Sequence, residues 1–332
     1  MIGKAGGEGE PINPPCAQHE RVVSMKICRA EQFRRLLHGE GTLLRPCAYD
    51  ALSAILIERV GFSVVGTTGY GISASLIGQP DMGFVDFSAM LERTRTIVNA
   101  VSAPVDVDID TGYGNELNVS WTVRSFIRIG AASVRLEDQV WPKRCGHMEG
   151  KSVIPTDHMV RKMESAVRTR HDEGLDIVLG ARTDARSVEG LEAVIDRAQA
   201  YASAGADYVY VEAPQSLEEI RTLKEHVPVP LAFNVIPGGA MPPFSIAELE
   251  DIGVDLLSVP MAALYPATRA MYEALQMLKR EKDLDKLGAM GTSWSEFNDI
   301  VGLQTWQEME ERLVGRTPRV GEGCDGDTPR RE

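Results

Sequence analysis

Between residues 42 and 259 the chain repeats one texture eight times: a short apolar run, a polar or Gly-containing loop, then an amphipathic stretch. The runs fall at 42–45, 62–66, 105–110, 132–137, 176–180, 206–211, 230–233 and 254–259. Most are nearly continuous in apolar residues, as strands buried on both faces must be, and so predict a parallel sheet. The stretches between them carry helical periodicity. Leu191, Val194, Ile195 and Ala198, for example, stand at i, i+3, i+4 and i+7. Helices are expected at 30–38, 51–57, 87–101, 117–129, 158–172, 217–225 and 246–251, and near the end at 262–280, 293–301 and 304–313. Pro46 is expected to stop the first strand, and Asp50 to cap the helix after it. Eight such units in about 250 residues predict a closed (β/α)8 TIM barrel. The open doubly wound alternative would need a G-x-G-x-x-G after its first strand, and none is there.

The barrel and a C-terminal helical arm are expected to fill 23–314. Residues 1–22 and 315–332, rich in Gly, Pro and charge, are expected to be flexible tails. No apolar run approaches the roughly 20 residues of a membrane span, so no membrane partner is expected. A net charge of -13 argues against nucleic acid. The five cysteines form no C-x-x-C pair, which suits free thiols in a reducing compartment. The N-terminal stretch has neither an apolar signal core nor an Arg-rich amphipathic pattern, so the expected location is cytoplasmic.

A barrel of this kind carries its chemistry at the C-terminal ends of the strands. Those ends hold Thr68, Gly69 and Tyr70, then Asp108 and Asp110, Glu137, Arg182, Glu212 and Asn234. Any one of these has an ordinary explanation; Arg182 and Asp184 could be a surface ion pair. A polar residue at the same place in strand after strand, five times in a row from Asp108 to Asn234, is harder to treat as chance. In Val105-Asp106-Val107-Asp108-Ile109-Asp110 strand alternation puts three carboxylates on one face. Buried like charges need a positive compensator, and a hard cation such as Mg²⁺, or Mn²⁺ in its place, takes oxygen ligands. Glu137 is then placed to hydrogen-bond water on that cation. The cation, Arg182, Asn234 and backbone N–H groups would together hold an anionic, oxygenated substrate. The polar loop 138–156 carries Lys143-Arg144-Cys145-Gly146-His147. Positive neighbours are expected to lower the Cys145 thiol pKa and fit it for nucleophilic or acid–base work. The loop is expected to close over substrate. Cys47 reads as a small buried residue.

These motifs, in their order and spacing, resemble the isocitrate lyase/phosphoenolpyruvate mutase superfamily over residues 25–313. The residues that carry the resemblance are Ala48-Tyr49-Asp50-Ala51-Leu52-Ser53-Ala54, Gly78-Gln79-Pro80-Asp81-Met82-Gly83, Asp108-Ile109-Asp110-Thr111-Gly112-Tyr113-Gly114, Glu137-Asp138-Gln139, the Cys145 loop, Ala181-Arg182-Thr183-Asp184-Ala185, Glu212-Ala213-Pro214 and Asn234. The resemblance implies a barrel whose last helix is exchanged between subunits of a homotetramer. It implies Mg²⁺ held mainly by Asp108, with Asp81, Asp110 and Glu137 acting through water. The implied substrate is a small dicarboxylate or tricarboxylate, a 2-oxo or 2-hydroxy acid. Its carboxylate would sit on Thr68, Gly69 and Tyr70, beside Gly146, and its oxygens on Arg182.

The Cys145 loop is similar to that of the carbon–carbon lyases, including those acting on 2,3-dimethylmalate and 2-methylisocitrate. It implies retro-aldol cleavage in which Cys145, aided by His147, protonates the departing carbon. Oxaloacetate hydrolysis, a phosphonate or carboxyphosphonoenolpyruvate mutase reaction, and a barrel that only binds a ligand are the alternatives. Two positions depart from the methylisocitrate pattern. Gly66 stands where a tyrosine is expected, which leaves Tyr49 or Glu212 as the base. Asn234 is followed by Val235-Ile236-Pro237-Gly238-Gly239, which suggests a substrate without a third carboxylate. Asp106 stands where a small or apolar residue is usual, with no evident compensation for its charge.

Overall fold

The structure is a computed structural model that describes residues 29–314. The expected tails, together with Cys16, Cys28 and Cys324, lie outside the described residues. Helix α1 (29–37) precedes eight parallel strands that close in chain order into a barrel. They are β1 (Leu43–Ala48), β2 (Val65–Thr67), β3 (Val105–Asp108), β4 (Ser133–Glu137), β5 (Val178–Thr183), β6 (Tyr208–Val211), β7 (Leu231–Asn234) and β8 (Leu256–Val259). Pairing of Leu43 with Leu256 and Pro46 with Val259 seals the ring. Between the strands run α2 (Ala51–Val60), α3 (Gly69–Ile77), α4 (Phe87–Ala100), α5 (Glu116–Ile129), α6 (Thr156–Glu173), α7 (Leu191–Ser203), α8 (Leu217–His226) and α9 (Ile246–Ile252). Asp50 caps α2 as expected, its carboxylate accepting the Ser53 N–H at 2.7 Å.

Outward strand residues such as Val105, Val107, Val134 and Leu136 join Phe126, Ile127 and Met163 in the layer between sheet and helices. Helix α1 closes the N-terminal end of the barrel: Phe33 and Leu37 cluster with Val64, Val178, Tyr208 and Leu256. The inward residues above that plug are charged, and this gives the other end its chemistry.

Three local expectations are corrected. β1 runs through Pro46. The Leu43 N–H points to β8, so by alternation Pro46 faces β2, whose pairing begins only at Cys47 with Gly66. No ladder donor is lost there. Secondly, β3 ends at Asp108, and Asp110 lies beyond it at φ 49°, so only Asp106 and Asp108 share the strand face. Thirdly, the expected helices lacked one after the second strand: Thr68-Gly69-Tyr70-Gly71 starts α3, with the Thr68 hydroxyl accepting the Gly71 N–H at 3.2 Å.

The barrel belongs to a compact unit that ends at Arg269, and a second unit begins at Ala270. Helix α10 (Leu264–Glu281) crosses that boundary, and the second unit continues through α11 (Leu284–Met290), α12 (Trp294–Ile300) and α13 (Leu303–Val314). No described helix is long and apolar enough to cross a membrane.

Candidate active site

The barrel interior explains the aspartate whose charge had no visible partner. Asp106 is fully buried. It pairs with Arg45, accepts from Arg135 Nη1 at 3.2 Å, and accepts the Tyr208 hydroxyl proton at 3.0 Å. Above it, Asp108 accepts from Arg135 Nη2 at 3.2 Å through Oδ2 and from the Asp110 N–H at 3.0 Å through Oδ1. Burial pushes the Asp108 carboxyl up, but Arg135, Lys143 and Arg182 outweigh it and hold the group below its usual range.

Asp81, Asp108, Asp110 and Glu137 are all buried near the mouth of the barrel. Lys143 Nζ lies 2.9 Å from Asp81 and 2.7 Å from Asp110. Burial, opposed by Lys143 and reinforced by Asp108 and Asp81, pushes the Asp110 carboxyl up to about 6. Burial also raises Glu137 well above the carboxylate range, and its Oε1 has no hydrogen-bond partner. Among the described residues no three His, Cys, Asp or Glu side chains converge into a metal cage. The donor set fits a hydrated Mg²⁺, which takes one or two carboxylates and keeps several waters, one of which would satisfy Glu137 Oε1.

The start of α3 forms one wall of a cavity of about 40 Å³. Thr68, Gly69 and Tyr70 line it, facing Asp108, Arg182, Cys145 and Asn234. A helix N-terminus offers free N–H groups and positive potential to a carboxylate. Tyr70, Cys145, Ile236 and Met261 also line a second pocket of about 420 Å³ farther out, completed by Met148, Pro237 and Tyr265 among others.

Cys145 is held at this junction by several ties. Its N–H donates to Asp81 O at 3.1 Å. Lys151 Nζ donates to Gly146 O and, at 2.9 Å, to Asp184 Oδ1. The expected low thiol pKa is corrected: burial pushes the Cys145 thiol up to about 11, with Glu212 and Asp81 adding to it. Lys143 is spent on Asp81 and Asp110, while Arg144 turns outward to Glu149 O. At neutral pH Cys145 is a thiol, suited to giving a proton rather than attacking.

Arg182 and Asp184 form a buried pair, with Nε–Oδ2 at 2.8 Å, which rules out the ordinary explanation of a surface ion pair. Arg182 Nη2 further meets Glu212 Oε2 at 3.0 Å. Glu212 also faces His147 Nε2 at 2.9 Å and accepts from Asn234 Nδ2 at 3.1 Å. His147 Nδ1 accepts the Ala240 N–H at 2.7 Å, so the ring proton sits on Nε2, toward Glu212. Burial raises the Glu212 carboxyl, but Arg182 and His147 hold it below the usual range, so it is ionised.

The structure therefore brings together every expected site residue except Tyr49. That side chain packs at Gly71 and lines neither cavity. Sequence reasoning missed Arg45, Arg135, Lys151 and Met261. Only Arg135, inward on β4 two residues before Glu137, carried a signal that alternation could have found.

Residues 33–279 match the family model described as phosphoenolpyruvate phosphomutase. The chain is 41% identical over 287 residues to 2,3-dimethylmalate lyase of Eubacterium barkeri, covering 86% of this chain and 98% of that protein. It is 41% identical over 314 residues to the chloroplastic carboxyvinyl-carboxyphosphonate phosphorylmutase of Arabidopsis thaliana, covering 93% and 91%. Among solved structures, oxaloacetate acetylhydrolase in complex with 3,3-difluorooxalacetate aligns with a TM-score of 0.81 at 32% identity, covering 86% of this chain and 97% of that one.

Proposed function

The chain belongs to the phosphoenolpyruvate phosphomutase family, and from there we propose that it is a lyase cleaving a 2-alkylmalate-type acid, 2,3-dimethylmalate or 2-methylisocitrate, to pyruvate and a short carboxylate. One observation carries the reading. Cys145, a protonated thiol, stands where a small polar cavity opens into a wider pocket lined by Met148, Ile236, Pro237 and Met261. The polar cavity suits the hydroxy-acid head, and the apolar side of the wider pocket, at Met148, Ile236, Pro237 and Met261, suits an alkyl substituent.

In this reading the N–H groups of α3 and the Thr68 hydroxyl bind the substrate carboxylate, and Arg182 with Asn234 holds its oxygens. Glu212, which is ionised, takes the 2-hydroxyl proton through water. The C2–C3 bond breaks and C2 becomes the carbonyl of pyruvate. The bonding pair passes to C3 and spreads into the neighbouring carboxylate. Cys145 then gives its proton to C3. Mg²⁺ or Mn²⁺ bound at Asp108, with Asp81, Asp110 and Glu137 around it, would supply electrophilic stabilisation of the developing oxyanion. Assembly as a homotetramer belongs to the same proposal, and mass photometry tests it.

The deciding experiment incubates the protein and Mg²⁺ with substituted malates, 2-methylisocitrate, oxaloacetate and phosphonopyruvate, and identifies products by NMR. Pyruvate from an alkylmalate or 2-methylisocitrate is the expected result. Oxalate and acetate from oxaloacetate alone, or a mutase product alone, would overturn it.

A further inference from the structure

Asp106 touches neither cavity, yet the barrel floor is built around it. Gly66 makes that floor possible: a Cβ there would lie 2.6 Å from Cys47 Sγ and 3.1 Å from Arg45 Nε. Arg45 fills the space, pairing with Asp106 through Nη1 and donating to Ser258 Oγ through Nη2. Arg135 divides its two arms, Nη1 to Asp106 and Nη2 to Asp108, each at 3.2 Å. Its guanidinium carbon lies 4.7 Å from the centre of the Tyr210 ring, a cation–π contact. An arginine with both arms free grips one carboxylate bidentately. With one arm on Asp106, Arg135 meets Asp108 through a single N–H.

We propose that Asp106 is a positioning residue for the candidate cation site: it holds one arm of Arg135 and thereby keeps the Asp108 carboxylate only singly engaged and open to a divalent cation. The inference rests on the metal reading given above. Without Asp106, Arg135 closes its fork on Asp108 and competes with the cation for the same oxygens. Arg45 is then left buried and unpaired, so the informative change removes both partners. Replacing a buried ion pair by apolar residues of similar size is often neutral or stabilising.

The test titrates Mn²⁺ into the full-length protein without substrate and follows free Mn²⁺ by electron paramagnetic resonance, with thermal unfolding measured alongside. The wild type is expected to bind one Mn²⁺ and Asp108→Asn none. The double variant Arg45→Met with Asp106→Leu, in which the buried Tyr208 hydroxyl loses its acceptor, is expected to stay folded with its unfolding temperature lowered by a few degrees and to bind Mn²⁺ about 10–100-fold more weakly, the usual effect of losing a partner behind a metal ligand. Its activation by Mg²⁺ should need proportionately more metal, while KM for substrate at saturating metal stays near wild type. If the double variant does not fold, Asp106→Asn serves, with weakening of about tenfold expected. A folded variant with wild-type Mn²⁺ affinity overturns the proposal and leaves the metal reading intact. A wild type that binds no Mn²⁺ overturns both.

Discussion

Gly146 lies directly against Arg182: a Cβ on Gly146 would fall 2.3 Å from Arg182 Nη2 and 2.5 Å from the Glu212 carboxyl carbon. The backbone next to Cys145 thus rests on the arginine–glutamate pair with no room for a side chain. Gly146→Ala must lift the loop or push Arg182 aside. Misplacement by about 1 Å can cost about 100-fold in rate. A loss of that size in kcat/KM is expected, with the protein still folded and its unfolding temperature lowered by a few degrees. Near-wild-type kinetics would show that the close approach has no catalytic role.

Cys145→Ser is expected to lower kcat by about two to four orders of magnitude, the range for a positioned proton donor. Substrate binding should persist, measured by calorimetry with a non-cleavable analogue. Because the thiol is pushed up to about 11, alkylation by iodoacetamide should be slow at pH 7 and rise about tenfold per pH unit as the thiolate fraction grows. Peptide mapping by mass spectrometry gives the site. Rapid labelling at pH 7 that levels off by pH 8 would mean a thiolate.

Asp184 is held down to about 2: burial pushes it up, but Arg182 and Lys151 more than offset this. The folded value lies below the ordinary 3.8, so its contribution to stability is full above pH 4 and fades as pH falls toward 2. Asp184→Asn leaves two buried cations short of a partner, and breaking such a contact costs about 3–5 kcal/mol. Urea unfolding from pH 6 to 2 checks both points. The variant should be less stable at pH 6 and show a flatter loss below pH 4.

Removal of divalent metal by EDTA should abolish cleavage, and Mg²⁺ or Mn²⁺ should restore it. Asp108→Ala should resist restoration at any metal concentration tested, while circular dichroism shows an intact barrel. Undiminished activity in EDTA would exclude the metal-assisted scheme.

The eight apolar runs and the polar residues that close them determined the barrel and the mouth at which its chemistry collects. That information is local, because strand burial and side-chain alternation are written in the order of residues. Arg182, Glu212 and Asn234, far apart in sequence, were found this way, and they meet at Glu212. The tertiary structure decided what those residues are bonded to and how they are charged. Lys143 and Arg144 stand next to Cys145 in sequence, yet one is consumed by Asp81 and Asp110 and the other faces a loop carbonyl. Burial and Glu212 therefore set the thiol, and they set it high. Asp106 found its partners in Arg45, 61 residues earlier, and Arg135, 29 residues later, through a space opened by a glycine. Charge state and ion pairing depend on distance through a low-dielectric interior, and folding fixes that distance by joining strands that the chain keeps apart.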